Sequence, residues 1–171
     1  MQSANSDLKK KIAFYGLLIA LAFVLSYIES LIPVFIAIPG AKLGLTNLVV
    51  LIALERFGKK DAFIINMIRI LLVGFTFGNT FSLLYSFAGG ILSFLIMILL
   101  KKTKKFSLVG TSVGGGVGHN IGQIIVAAFV LETGALVYYL PFLLVIGTVA
   151  GVIIGILSAE IIKRLPNTNA V

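Results

Sequence analysis

The sequence contains no cysteine and no tryptophan, and only 12% of its 171 residues are charged. Without cysteine the chain forms no disulfide bond, zinc–thiolate site or thiol nucleophile, so redox chemistry says nothing about its compartment. Without tryptophan, an aromatic belt at a membrane interface has to consist of tyrosine and phenylalanine. Soluble domains carry about 25% charged residues, so the low charge content favours a protein that is not surrounded by water.

Hydrophobic residues make up 59% of the chain, against about 45–50% in soluble domains. A soluble domain of this size would still expose about 30% of the surface of its unfolded chain. The chain has too little polar surface to cover such a molecule in water, whereas a lipid bilayer can act as its solvent. The composition therefore predicts an integral membrane protein.

Six predominantly apolar segments are candidates for membrane-spanning helices, each of which needs about 20 residues. They are Ile12–Leu31, Leu43–Leu54, Ala62–Phe77, Phe81–Leu100, Phe106–Leu131 and Leu136–Ile162. The second segment is short, and two prolines before it indicate an outer loop over Pro33–Gly40. We predict an all-α, polytopic bundle of six transmembrane helices over 12–164, with cytoplasmic tails at 1–11 and 165–171. The first segment is longer than the apolar part of a signal peptide, so we expect it to be retained.

Twelve of the 14 lysine and arginine residues lie at the ends of these segments. They form four basic groups: Lys9–Lys11, Arg56 with Lys59 and Lys60, Lys101–Lys105, and Lys163 with Arg164. With six spans all four groups lie on one side of the membrane, and the positive-inside rule makes that side the cytoplasm. Both termini are then cytoplasmic, and the net charge of +8 requires no nucleic-acid partner.

Two cations stand apart from the basic groups. Lys42 enters the second segment from the outer side, and Arg69 lies near the middle of the third. A charge at the bilayer centre costs about 2.5–3.5 kcal/mol on insertion scales, so it normally faces a cavity or a partner. Arg69 is therefore either a structural residue, which forms an internal ion pair or bonds to backbone carbonyl groups, or a cation that lines a substrate pocket. Asn66 lies one turn before Arg69 and is expected to orient it.

The fifth segment combines glycines with polar side chains in the run Gly114–Gln123. The glycines weaken a helix but allow other helices to pack closely. His119 and Gln123 are four residues apart and share a helix face, where each can bind a ligand or join two helices by a hydrogen bond. The predicted substrate-binding residues are Lys42, Asn47, Arg69, Asn79, His119, Asn120 and Gln123.

Motifs for catalysis are missing from the sequence. It has no nucleophile–base–acid set, no phosphate-binding Walker loop and no aspartate-rich motif of a prenyl transferase. A metal site would depend on one histidine and scattered carboxylates. We therefore expect a binding or transport protein rather than an enzyme, with no catalytic residue, no metal and no covalently bound cofactor.

The segment Ile38–Asn47, the segment around Arg69 and the run Gly114–Asn120 resemble the Gx transporter family, whose members are often labelled heptaprenyl diphosphate synthase component I. That family is grouped with the substrate-binding S components of energy-coupling factor (ECF) transporters. The resemblance implies a six-helix fold with an extracytoplasmic pocket and a ligand-covering loop, matched here by Pro33–Gly40. It also implies that small residues on the first helix, Gly16 and Ala20, dock a coupling transmembrane subunit.

Three functions stay open. The first is an S component in the bacterial cell membrane that captures a small polar, anionic, vitamin- or cofactor-like molecule on the extracytoplasmic side, such as a flavin or a quinone or isoprenoid precursor. ATP would be used only by the ABC ATPase partners. The second is a membrane component associated with heptaprenyl diphosphate synthase in isoprenoid-quinone biosynthesis, which presents an apolar groove to a growing chain. The third is a scaffold for a membrane redox complex.

Overall fold

The computed structural model describes residues 2–31 and 44–165. In these two ranges the chain forms six α-helices and one 3₁₀ helix, Gly134–Tyr139, and no strand. The α-helices are α1 Gln2–Leu31, α2 Asn47–Arg56, α3 Lys59–Thr76, α4 Thr80–Thr103, α5 Leu108–Val130 and α6 Leu140–Arg164. The predicted loop Pro33–Gly40 and the predicted site residue Lys42 lie outside the described residues.

Several helix ends differ from the predicted segments, because capping residues and proline decide them. α1 already begins at Gln2, so the segment predicted as a tail over 1–11 is helical from residue 2 onward; it contains no glycine or proline. The side chain of Ser107 accepts a hydrogen bond from the N–H of Gly110 and caps α5. Pro141 occupies the first turn of α6, where proline is tolerated, so a separate 3₁₀ helix precedes it.

Four stretches are long and apolar enough to cross a bilayer. They are Lys11–Leu31, Thr80–Thr103, Leu108–Val130 and Gly134–Arg164. α2 has only 10 residues, a length of about 15 Å, or half the hydrocarbon thickness of a bilayer. α3 carries Arg69 as well as three charged residues in its first turn. The chain is thus a helical membrane protein. Four of the six predicted spans correspond to long apolar stretches. The other two differ, because α2 is short and α3 carries four charged residues.

The short helix α2 is enclosed by the other helices. Each of its residues from Asn47 to Leu54 is buried, as expected for a helix that is apolar on nearly all sides. The surrounding core includes Ala22 of α1, Met97 of α4 and Ile154 of α6. α2 therefore forms the centre of the core, and its first residue lies inside the protein rather than at its surface.

Contacts between helix ends bring the basic groups to one end of the bundle. Two ion pairs connect these ends, Lys11–Asp61 at 3.1 Å and Lys101–Glu55 at 2.9 Å. The guanidinium of Arg56 donates a hydrogen bond to the carbonyl oxygen of Ile162. These contacts join Lys11 of α1 and the start of α3 to the ends of α2, α4 and α6. From this end α1 and α3 therefore run in one direction, and α2, α4 and α6 run in the opposite direction. Lys11, Arg56 and Lys101 consequently lie at the same end.

Glycines allow α5 to pack closely against both α4 and α6. A Cβ atom on Gly122 would lie 2.6 Å from the carbonyl oxygen of Ala88 in α4. On the other side, a Cβ atom on Gly116 would overlap the carbonyl oxygen of Gly147 in α6. The glycines of α6 recur at positions 147, 151 and 155 and contact α5, the spacing that brings membrane helices together. The packing role predicted for the glycine run is thus confirmed.

Candidate functional site

The end of α1 holds the start of α2 inside the bundle. The carboxylate of Glu29 accepts hydrogen bonds from the backbone N–H groups of Gly44 and Leu45. Gly44 has a φ angle of +83°, in the left-handed region that glycine adopts without strain. The resulting turn, Gly44–Thr46, places the N-terminus of α2 among buried side chains, and that end of a helix carries partial positive charge.

Arg69 lies in the middle of α3 and is buried. Its Nε donates a hydrogen bond of 2.9 Å to Oδ1 of Asn66, and its Nη1 donates to Oγ1 of Thr46. Asn66 donates in turn to the carbonyl oxygen of Gly90 at 3.2 Å, so its predicted role in orienting Arg69 is confirmed. The charge of Glu29 also attracts the guanidinium. Nη2 of Arg69 has no hydrogen-bond partner among the described residues, which leaves one donor available inside the protein.

His119 lies in the middle of α5 and is also buried. Its ring packs against two glycines from different parts of the chain. A Cβ atom on Gly89 would lie 2.9 Å from its Nδ1, and a Cβ atom on Gly44 would lie 3.4 Å from its Cδ2. Larger residues at these positions would crowd the ring, so the glycines make room for His119 between α4 and the turn before α2.

Two buried amides complete this group. Asn47 is the first residue of α2, and Gln123 follows His119 by one turn on the same face of α5. Within the described part of the chain, neither Nδ2 of Asn47 nor Nε2 of Gln123 has a hydrogen-bond partner. A buried donor without a partner costs about 1–3 kcal/mol, a cost that a bound acceptor would remove. We call Asn47, Arg69, His119 and Gln123 the donor cluster.

Two other predicted site residues have structural partners. Asn120 points to α6, where its Nδ2 donates a hydrogen bond of 2.6 Å to the carbonyl oxygen of Leu143. Asn79 is exposed and precedes α4, where its Oδ1 accepts a hydrogen bond of 2.8 Å from the N–H of Ser82. Asn120 therefore connects two helices and Asn79 caps one, whereas the donor cluster retains donors for another partner.

The family model for heptaprenyl diphosphate synthase component I matches residues 18–161. The chain belongs to this family. The match covers all four residues of the donor cluster and Ala20, whereas Gly16 lies before it. Comparisons with curated proteins and with solved structures gave no match.

The predicted docking residues lie on the outer surface of α1. Gly16 and Ala20 are both exposed, whereas Leu18 and Ala22 on the other side of the helix are buried. A Cβ atom on Gly16 would meet no atom of the described residues within 4 Å. The two small residues therefore form a shallow strip on a helix face that the other described helices leave uncovered.

The chemistry of the donor cluster suits an oxygen-rich anion. Among the described residues, its groups without a hydrogen-bond partner are the amide nitrogens of Asn47 and Gln123 and Nη2 of Arg69. Phosphate and carboxylate oxygens accept hydrogen bonds from such groups, most strongly from guanidinium. In the described ranges of the chain, no group of three or more histidine and acidic side chains could hold a metal ion.

Sequence analysis missed two residues that build the site. Thr46 accepts the hydrogen bond from Arg69, and Gly44 lies against the ring of His119. One signal was available, because Thr46 and Asn47 form a polar pair at the start of an otherwise apolar stretch. The residues that Thr46 and Gly44 contact, Arg69 and His119, lie tens of residues away on other helices. A local sequence pattern does not specify such contacts.

Proposed function

We propose that this chain is the substrate-binding membrane subunit, or S component, of an ECF-type transporter and that it captures a small anionic molecule. The observation that carries this proposal is the donor cluster. Within the described ranges, it presents buried N–H groups without a hydrogen-bond partner from α2, α3 and α5. In a transporter, such groups hold the ligand while it is shielded from water.

The position of α2 supports an anionic ligand independently of Arg69. α2 is a short helix whose N-terminus lies within the bundle beside Thr46 and Asn47. Transporters use the N-terminal ends of discontinuous helices near the middle of the membrane to bind anionic groups of substrates. The carboxylate of Glu29 already accepts hydrogen bonds from the N–H groups of Gly44 and Leu45 at this turn, so a further anion gains from the partial positive charge of α2 and from Arg69 rather than from free backbone N–H groups.

The proposed orientation follows from the basic end of the bundle. Lys11, Arg56 and Lys101 lie together there, and positive loops normally remain in the cytoplasm. The ligand then enters from the opposite, extracytoplasmic side, and both termini are cytoplasmic. α2 and α3 complete a six-helix membrane domain in the bacterial cell membrane, although α2 has only 10 residues and α3 carries four charged residues.

Transport in this proposal depends on partner proteins. The exposed strip of Gly16 and Ala20 on α1 allows the close approach of a helix from a coupling transmembrane subunit. ABC ATPase subunits bound to that partner supply the energy by hydrolysing ATP. Replacing Gly16 by Leu fills the strip, and it is expected to reduce co-purification of the coupling subunit without changing ligand retention.

The ligand proposal is tested by native mass spectrometry of protein purified in lipid nanodiscs. Arg69→Gln removes the buried charge but keeps a polar side chain, and it should lose a bound anion that the native protein retains. Arg164→Gln removes a cation from the exposed end of α6 and serves as the matched control. Equal retention by the native protein and Arg69→Gln, both correctly folded, would exclude Arg69 from ligand binding.

A second function is favoured by the family that the chain matches. A membrane component of heptaprenyl diphosphate synthase would hold an isoprenoid chain while a soluble partner performs the chemistry. Co-purification distinguishes the two proposals. Recovery of a coupling membrane subunit with a pair of ATPases supports transport. Recovery of a soluble prenyl transferase, whose activity requires this chain, supports the second function instead.

A further inference from the structure

Ser86 is a buried serine of α4 that does not belong to the donor cluster. Only 6% of it is exposed, and its Oγ has no hydrogen-bond partner among the described residues. A hydroxyl on a helix can bond to the carbonyl oxygen of the preceding turn, as Thr76 does to Leu72 at 2.7 Å. The hydroxyl of Ser86 is therefore a buried polar group whose hydrogen bond the described part of the chain does not supply.

Two glycines one turn after Ser86 show which residues it adjoins. Gly89 follows Ser86 by three positions and Gly90 by four, so Ser86 lies between them on the surface of α4. A Cβ atom on Gly89 would lie 2.9 Å from Nδ1 of His119, and one on Gly90 would lie 3.6 Å from Nη2 of Arg69. Ser86 thus lies one helical turn from the place where α4 meets both ionisable members of the donor cluster.

Ser86 and Gln123 are displaced from that place in the same direction. α4 ends at the basic end of the bundle, so Ser86 lies farther from the basic end than the two glycines. α5 follows α4 after a short connection, 104–107, and packs along it in the opposite direction. Gln123, one turn after His119, consequently also lies toward the extracytoplasmic side. Arg69 and His119 then form the inner side of the site, and Ser86 and Gln123 form its outer side.

We propose that Ser86 binds the ligand, by donating its hydroxyl hydrogen to an oxygen of the anion that the donor cluster holds. This inference rests on the proposed capture of an anion and adds a binding residue from a fourth helix, α4. A carboxylate or phosphate has several acceptor oxygens, so it can accept from a guanidinium, an amide and a hydroxyl at once. The ligand gives the buried hydroxyl the partner that the described residues do not provide.

Titration calorimetry with inorganic phosphate tests this role, using the whole chain in nanodiscs of neutral lipid. We expect Ser86→Ala to raise the dissociation constant about tenfold, because a hydrogen bond to a charged group is lost. The melting temperature without phosphate should stay at or above the native value, since no hydrogen bond to the described residues is removed and alanine favours a helix. The rise in melting temperature that phosphate produces in the native chain should become smaller.

Ser93→Ala is the matched control. Ser93 lies on the same buried face of α4, and its Oγ also has no partner within the described ranges. A Cβ atom on Gly115 would lie 3.2 Å from this Oγ, and Gly115 is one turn before His119, on the side of the basic end. Ser93→Ala therefore removes the same group from the opposite side of the His119 contact, and it should keep the native dissociation constant.

The outcomes separate the failure of this inference from the failure of the proposed function. A native dissociation constant in Ser86→Ala, beside weaker binding in Arg69→Gln, overturns the role of Ser86 and leaves anion capture standing. Equal weakening by Ser86→Ala and Ser93→Ala, or a lower melting temperature of Ser86→Ala without phosphate, shows a structural effect and also overturns it. If the native chain does not bind phosphate, or Arg69→Gln binds it equally well, the anion site fails together with this inference.

Discussion

Nε of Arg69 lies 2.9 Å from Oδ1 of Asn66, and the amide nitrogen of Asn66 bonds to the carbonyl oxygen of Gly90 on α4. Replacing Asn66 by Leu removes both hydrogen bonds and leaves buried polar groups unpaired, which costs about 1–3 kcal/mol. We expect Asn66→Leu to melt at a lower temperature and to retain less bound anion, as measured by circular dichroism and native mass spectrometry. Met67→Leu changes the neighbouring residue as a control. Full anion retention by Asn66→Leu would contradict the orienting role.

Gly89 provides space for the ring of His119. A Cβ atom there would lie 2.8 Å from the carbonyl oxygen and 2.9 Å from Nδ1 of His119, so Gly89→Ala forces α4 and α5 apart. Overpacking of this kind costs about 1–3 kcal/mol, and we expect a lower melting temperature. Gly16→Ala is the control, because a Cβ atom there meets no described atom and alanine favours a helix by up to about 1 kcal/mol. Equal melting temperatures of the two variants would refute the packing argument.

Asn120 and Gln123 are expected to respond differently to the loss of their amides. Asn120→Leu removes the hydrogen bond to the carbonyl oxygen of Leu143, and such bonds contribute about 0.6 kcal/mol on average in membrane proteins. Gln123→Met removes a buried nitrogen that has no partner in the described ranges. We therefore expect a lower melting temperature only for Asn120→Leu and a larger loss of anion retention for Gln123→Met. The reverse pattern would exchange the structural and binding roles of the two residues.

Asp61 lies at the basic end of the bundle, where its ionisation makes the stability of the folded protein depend on pH. Partial burial acts to raise the pKa of Asp61, but hydrogen bonds from Tyr15 and Lys11 and the charges of Lys11 and Lys60 outweigh it, so the pKa lies below its ordinary value. Such a carboxyl stabilises the folded state above its ordinary pKa of about 3.9, and this contribution is lost as the pH falls through the lower folded value. We expect Asp61→Asn to lower the melting temperature at neutral pH and to reduce its decline in acid below about pH 4.

The control for this experiment is Glu160→Gln. Glu160 pairs with Arg164 at 2.8 Å, but both side chains are exposed, and exposed pairs contribute about 0–1 kcal/mol. Its melting profile should follow that of the native protein across the same pH range. A profile of Asp61→Asn that also coincides with the native one would show that the Lys11–Asp61 pair contributes nothing measurable.

The absence of cysteine makes the topology directly testable. Single cysteines at positions 60, 104 and 138 replace exposed residues and can be labelled without background. We expect a membrane-impermeant maleimide to label Tyr138→Cys on intact cells and to label Lys60→Cys and Lys104→Cys only after the membrane is opened. Labelling of positions 60 and 104 from opposite sides would refute the proposed orientation.

Much of the helical architecture could be predicted from hydrophobic runs and charge. All six predicted segments contain a helix, and the structure gathers basic residues from different segments at one end. The lengths were less predictable. The segment Leu43–Leu54 is apolar enough for membrane interior, but its helix begins only at Asn47 because the Gly44–Thr46 turn precedes it.

The candidate site could be predicted only as a set of residues. Arg69 and His119 were identifiable because ionisable groups are expensive inside a membrane. Whether a given amide faces the donor cluster or another helix depends on helix rotation. Asn120 and Gln123 lie three residues apart on α5. Asn120 nevertheless donates a hydrogen bond to α6, whereas Gln123 lies one turn after His119 on the same face of α5.

Composition and charge distribution by themselves determined that this chain belongs in a membrane and that its basic loops lie together. The physical reason is that the hydrocarbon region excludes charged loops, whatever the packing of the helices. Only the tertiary structure decided that Thr46 contacts Arg69 and that Gly44 lies against His119. These contacts join residues distant in sequence, and they depend on the relative depth and rotation of helices, which local hydrophobic periodicity does not contain.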